Sequence, residues 1–306
     1  MPDELAYHVL DVFAEQAFAG NPLAVVLGAE RLGTAQMQLL AREFALSETA
    51  FPLAPDEAER GRGVDYRLRI FTPQTELPFA GHPSLGTAWL MATLGRVRPG
   101  RVVQACGAGD LPLQVSADGG IVELTAGEPT CSDPVDPGPA LAAVGLAGDD
   151  LADPVRQPAR LCGTGLGYLI LAVRPTALAR CAPDRRLLAG FAHPKSPAAG
   201  VYVAAWDGST SSVRARMFAG DLPAAEDSAT GSAALAYGVW LAATSLLPAG
   251  GDAPGGTAFT VRQGVEMGRP STLSCRVEVV AGRAWRLSVA GAVVPIARGR
   301  VAVPQA

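Results

Sequence analysis

The sequence has no run of basic residues, no apolar stretch of membrane length and no cluster of cysteine with histidine. Each absence removes a class of function. The formal net charge of −4 over 306 residues, with no Lys/Arg patch, argues against nucleic acid as a partner. Apolar runs such as 166–173 fall far short of the roughly 20 residues that a spanning helix needs. The first residues, Met1-Pro2-Asp3-Glu4-Leu5-Ala6, lack the basic and apolar regions of a signal peptide, so a cytoplasmic protein is expected. The five cysteines, Cys106, Cys131, Cys162, Cys181 and Cys275, are odd in number and irregular in spacing, with no C-x-x-C. Neither a disulfide framework nor a zinc site is expected from them. None of His8, His82 and His193 stands at helical spacing from a second ligand, so no metal is expected. Neither a G-x-G-x-x-G following a strand nor a P-loop is present, and no cofactor is expected.

What is present is a chain able to bury a core. Hydrophobic residues make up 49% and charged residues 18%, enough for two domains of ordinary size. Residues 7–13 and 21–27 read as strands. Residues 34–46 place Met37, Leu40, Ala41 and Phe44 on one helical face. Tyr66, Leu68 and Ile70 alternate with Arg67 and Arg69 in a strand, and 82–94 is a nearly all-apolar helix that must be buried. Strands are expected at 102–106, 111–115 and 121–124, and a Pro/Asp/Gly-rich connection at 125–139. The second half supplies strands at 169–173, 201–205 and 213–218, an apolar helix at 230–241, a flexible loop at 250–256 and several short strands to the end.

The two halves answer each other. Arg67-Leu68-Arg69-Ile70-Phe71 leads to Gly81, and Arg214-Ala215-Arg216-Met217-Phe218 leads to Gly231. The strands are 147 residues apart (214 − 67) and the glycines 150 (231 − 81). Each copy is a strand, a polar loop and a glycine that opens an apolar helix. The expected class is α+β, with two pseudo-symmetric domains, each a barrel-like sheet wrapped around a central helix. The expected bounds are 1–127, completed by strands at about 292–306, and 128–291.

The helix starts are where chemistry is expected. Free backbone N–H groups and the helix dipole at Gly81 and Gly231 favour an anion such as a carboxylate. His82 stands where its ring can reach such a group, and Pro83 is tolerated in a first turn. Ser232 can cap its helix or donate to a ligand, and Asp227 precedes it in a turn-rich loop. Glu48, between an amphipathic helix and Phe51, is a candidate general acid or base. Each has a plainer reading: a packed histidine, a turn carboxylate, an exposed helix-end glutamate. Arg67, Arg69, Arg214 and Arg216 can bind a carboxylate or form an ion-paired face. Glu76 reads as a loop anchor.

Five blocks in order resemble the PhzF family of phenazine-biosynthesis isomerases, related in fold to diaminopimelate epimerase. They are Gly20-Asn21-Pro22-Leu23-Ala24-Val25-Val26, Leu46-Ser47-Glu48-Thr49, Phe79-Ala80-Gly81-His82-Pro83-Ser84-Leu85-Gly86, the run from Glu226 to Ala234, and the run from Gln263 to Ser271. The resemblance implies a site in the cleft between two barrel halves and a homodimer. It also implies a cofactor-free isomerase acting on a small carboxylate-bearing molecule such as trans-2,3-dihydro-3-hydroxyanthranilate. Glu48 is then the acid/base, assisted by His82 and Asp227, with Ser47, Gly81, Gly231, Ser232, Gln263 and Gly264 binding substrate. The two-cysteine racemases of the wider superfamily are a poor match, because His82 and Ser232 stand at the two helix starts. Ser228 stands where alanine or proline is usual, and the loop 221–225 differs from the phenazine enzymes. The alternatives are an isomerase of another natural-product pathway, such as one making alkyl-proline units, a small-molecule epimerase, and a non-catalytic binding protein.

Overall fold

The computed structural model describes residues 4–191, 198–222, 225–247 and 256–305. His193, residues 250–255 of the expected flexible loop and residues 223–224 lie outside them. The chain forms two compact units, Met1–Leu124 with Ala290–Ala306, and Thr125–Val289.

In the first unit, eight strands close on themselves. Glu4–Val12 pairs antiparallel with Asn21–Leu27, which runs parallel to Glu48–Leu53. Tyr66–Phe71, Gly100–Cys106, Gly109–Val115 and Ile121–Thr125 follow in turn. The ring closes through Arg283–Ala302, which pairs with Ile121–Thr125 and, over Val293–Ala302, with Glu4–Val12. Closure removes the sheet edges that would otherwise template aggregation. Period-2 alternation sends Tyr66, Leu68 and Ile70 inward to near-complete burial. The helix Gly81–Thr93 is the core they surround, buried on almost every side as its apolar sequence requires. Gly86 lets the wall approach: a Cβ there would lie 2.7 Å from side-chain atoms of both Leu23 and Val12. The helix Thr34–Phe44 packs Met37, Leu40 and Ala41 on Val26, Phe51 and Phe71, on the outer face of the strands.

The second unit repeats the plan. Arg160–Gly163 pairs with Gly167–Ala172, which runs parallel to Ala198–Asp207. Ser212–Phe218, Thr257–Gln263 and Ser271–Val280 continue the sheet. Inside lies the helix Gly231–Ala243, with Tyr237 and Trp240 fully buried and stacked 5.2 Å apart. Trp240 satisfies its one donor on the Pro158 carbonyl.

Two sequence expectations need correction. The segment 125–139 is not all connection: Thr130–Cys131 pairs with Arg160–Gly163 as a strand. Of the several short strands expected after residue 256, three form, and the last, Arg283–Ala302, is long at 20 residues. Pro295, within that strand, cannot donate to a ladder. The sheet absorbs it with a bulge: Val9 pairs with Ala297 but Leu10 with Pro295.

Candidate active site

Glu48 is not a helix-end residue. The helix before it stops at Ala45, which adopts φ 50°, and Glu48 opens the strand Glu48–Leu53 opposite Leu23. His82 lies in the first turn of the helix Gly81–Thr93, buried. Its Nε2 faces Glu48 Oε2 at 3.3 Å. On the other side of the ring, Nδ1 lies 3.3 Å from Asn21 Nδ2. Ser47 Oγ donates to Asn21 Oδ1 at 3.4 Å, which turns the amide nitrogen toward the ring. An amide nitrogen only donates, so Nδ1 accepts and the ring proton resides on Nε2, the nitrogen nearer Glu48. Burial lowers the His82 pKa from 6.5 to about 3; the Pro22 carbonyl, which would accept from a protonated ring, offsets part of this. His82 is therefore neutral at pH 7. The group Ser47–Asn21–His82–Glu48 is a line of polar atoms in an apolar wall, ending on a carboxylate whose side chain keeps 15% exposure.

The second unit holds the other expected residues. Asp227 ends the short strand Glu226–Asp227, and Thr230 Oγ1 donates to its Oδ2 at 2.6 Å. Gln263 is fully buried; its Nε2 donates to the Asp227 carbonyl and to Thr230 Oγ1. Its amide thus braces the loop that carries Asp227 into the helix. Gly264, at φ 72°, lies so close to the Ser228 and Arg269 carbonyls that a Cβ would sit 2.5 Å from each oxygen. Ser232 does not cap its helix: Thr230 occupies the N-cap, its side chain making no capping bond to the helix, and Ser232 Oγ lies 2.7 Å from the Tyr168 hydroxyl. Gly81 and Gly231 are the first residues of their helices.

The arginines form ion pairs. Arg67 meets Asp56 and Glu59, and Arg214 meets Glu266. Arg69 grips Glu76 with two bonds of 2.7 Å, and Arg216 grips Glu226 at 2.8 and 2.7 Å. Each also lies over a phenylalanine, Arg69 over Phe71 at 5.1 Å and Arg216 over Phe218 at 4.9 Å. The same clamp in each unit ties the end of a strand to the loop that opens the buried helix.

Sequence reasoning missed Asn21, Tyr168 and Thr230. Asn21 was visible only as the start of a strand and a member of a family block, and Tyr168 only as the polar tip in an apolar run. Among the described residues no group of three or more His, Cys, Asp or Glu is placed to hold a metal ion. No helix among them is long and apolar enough to cross a membrane.

Known proteins place these features in a family. The profile of the family described as phenazine biosynthesis-like protein matches residues 10–299. The chain is 34% identical to the trans-2,3-dihydro-3-hydroxyanthranilate isomerase of Pseudomonas aeruginosa over 298 residues, covering 96% of this chain and 98% of that protein. It is also 34% identical to an uncharacterised isomerase of Mesorhizobium japonicum over 305 residues, covering 96% and 98%. A crystal structure of a PhzF-family protein of Bacillus anthracis, 22% identical, shares the fold with a TM-score of 0.82 over 98% of this chain and 99% of that one. With an α+β fold built as a helix within a barrel, and with relatives that are isomerases along their whole length, the chain belongs to the phenazine biosynthesis-like (PhzF) family and is an isomerase.

Proposed function

We propose that the enzyme moves a proton between carbons of a small conjugated or cyclic amino or hydroxy acid, without a cofactor, using Glu48 as the acid/base. The observation that carries this reading is the buried, neutral His82 whose Nε2 lies 3.3 Å from Glu48 Oε2. A carboxylate beside a neutral donor keeps its negative charge available for a C–H proton, and the same donor persists when the proton is returned. Had His82 been cationic, it would have held the carboxylate too strongly for a base. A single carboxylate serving both ends requires removal and return on one face of the substrate.

Ser232 and the N–H groups at the helix starts of Gly81 and Gly231 are assigned to the substrate carboxylate. Asp227 is assigned to an amino or hydroxyl group, and Ser47 and Gln263 with Gly264 to shaping the site. His82 and Ser232, at the two helix starts, supply no thiol, so two-cysteine racemisation is not the chemistry proposed. The relative from P. aeruginosa makes trans-2,3-dihydro-3-hydroxyanthranilate the first substrate to try.

The test is incubation with that compound in deuterated buffer, followed by NMR and absorbance, for the wild type and Glu48→Gln. Glu48-dependent deuterium incorporation with a shift of conjugation supports the assignment. Full turnover by Glu48→Gln refutes the base; inertness of the wild type moves the substrate to another conjugated amino acid.

A further inference from the structure

Cys131 and Cys162 are 31 positions apart in a spacing that carries no motif, yet the fold makes them direct cross-strand neighbours. The two strands are antiparallel, with Cys131 opposite Cys162 and Thr130 opposite Gly163. One step along, Ser132 N–H donates to the Leu161 carbonyl at 2.8 Å. Residues 132 and 161 therefore form the hydrogen-bonded pair, and 131 and 162 form the alternate, non-hydrogen-bonded pair. Such pairs bring Cα atoms to about 4.5 Å and side chains closest together, within the Cα range a disulfide spans, about 4.4–6.8 Å. The sulfurs are 2.6 Å apart.

The surroundings make the two thiols unequal. Cys131 is exposed and Cys162 is buried. Arg160 lies beside Cys131, its Nη1 on the Ser132 carbonyl at 2.6 Å and its Nε buried without a hydrogen-bond partner. The Cys162 thiol, donating to the Cys131 sulfur, lowers the Cys131 pKa, and Arg160 adds to this against the effect of burial. The same contact and burial raise that of Cys162. Cys131 is thus the accessible nucleophile and Cys162 the resolving thiol.

We propose that Cys131 and Cys162 form a reversible disulfide when the enzyme meets a peroxide. The Cys131 thiol gives up its proton and the thiolate attacks one peroxide oxygen; the O–O bond breaks and hydroxide leaves, taking up that proton as water and giving a sulfenic acid. The Cys162 sulfur then attacks the Cys131 sulfur; the S–S bond forms, and the departing hydroxide takes the Cys162 proton as a second water. Two thiols and one hydrogen peroxide yield one disulfide and two waters. The bond pins the two-residue strand Thr130–Cys131 to Arg160–Gly163. In the next pairing Cys162 lies opposite Tyr168, whose hydroxyl meets Ser232. The oxidised staple therefore sits one strand away from a residue assigned to the substrate.

The experiment treats the full-length enzyme with hydrogen peroxide, then counts thiols in denaturant and maps peptides. The count is expected to fall from the five cysteines of the sequence to three (five minus the pair). The mass should drop by about 2 Da for two hydrogens lost. A peptide joining 131 to 162 should appear, and dithiothreitol should restore all five thiols. Cys131→Ser, at an exposed position, should lose no thiols as a disulfide, and Cys162→Ala should trap a sulfenic acid on Cys131 that dimedone captures. A linkage between other cysteines, a link between two chains, or oxidation of Cys131 to sulfinic acid with no linked peptide would overturn the proposal. These readouts are on the wild type first, so a poorly folding variant does not blunt them.

Discussion

The repeated arginine clamp offers an internal experiment on burial. Arg69–Glu76 and Arg216–Glu226 have the same two-bond geometry and the same phenylalanine beneath. They differ in exposure: the side chains of the first pair are 23% and 38% accessible, those of the second 9% and 8%. Arg216 also gives Nη1 to the Leu178 and Cys181 carbonyls, so its guanidinium cannot swing out to water without breaking those bonds. Glutamine at either glutamate keeps the shape and one acceptor oxygen but removes the charge. In the first unit water can solvate the orphaned arginine, and Glu76→Gln should cost about 1 kcal/mol or less. In the second unit the guanidinium stays buried without its counter-charge, and Glu226→Gln should cost about 3–5 kcal/mol. At roughly 2–4 °C per kcal/mol for a unit of this size, the second variant should melt roughly 10 °C lower. Urea and thermal unfolding measure the totals. Hydrogen exchange locates each loss, at the pairing of Glu226–Asp227 with Met217–Phe218 or of Glu76–Leu77 with Ile70–Phe71. Equal losses, or a larger loss from Glu76→Gln, would refute the claim that burial sets the strength of the clamp.

Other outcomes follow from single residues. His82 has a folded pKa of about 3 against 6.5 ordinarily, so between these pH values the unfolded chain binds a proton that the folded one does not. Stability from this group is full above pH 6.5 and falls as pH drops toward 3, at a slope on the order of 1 kcal/mol per unit. His82→Asn should flatten that acid limb in urea melts taken across pH; an unchanged slope would show that His82 is already charged in the fold. Gly264→Ala adds a Cβ against two carbonyl oxygens and should cost about 3 kcal/mol or more, whereas Gly268→Ala, at φ 71° with open space, should cost about 1 kcal/mol. Paired thermal melts compare them, and equal losses would put the cost in φ alone. Tyr168→Phe removes the partner hydroxyl of Ser232 and should lower stability by about 1 kcal/mol. If Ser232 holds the substrate carboxylate, KM should rise with kcat little changed; a fall in kcat alone would place Ser232 elsewhere in the reaction.

Much of the architecture is written locally. The alternation Tyr66, Leu68, Ile70 sets a strand with one buried face, and the nearly all-apolar run from Leu85 to Met91 calls for an interior helix. The repeat of Arg, Arg and Phe before a glycine marks two copies of one unit, because strand and helix periods depend on neighbours a few positions away. His82, Glu48, Asp227 and Ser232 were picked out by residue type at helix starts and strand ends. Contacts across long stretches of chain were not legible. Asn21 reaches His82 over 61 positions and decides which ring nitrogen holds the proton. Cys131 meets Cys162 only through strand register, and the C-terminal strand closes the first barrel with a register shift beside Pro295. Burial separates two arginine clamps that look alike in sequence. Spacing along the chain fixes which face a side chain takes; pairing partner, register and desolvation depend on what the rest of the fold brings alongside, and those set the proton, the thiol and the strength of each ion pair.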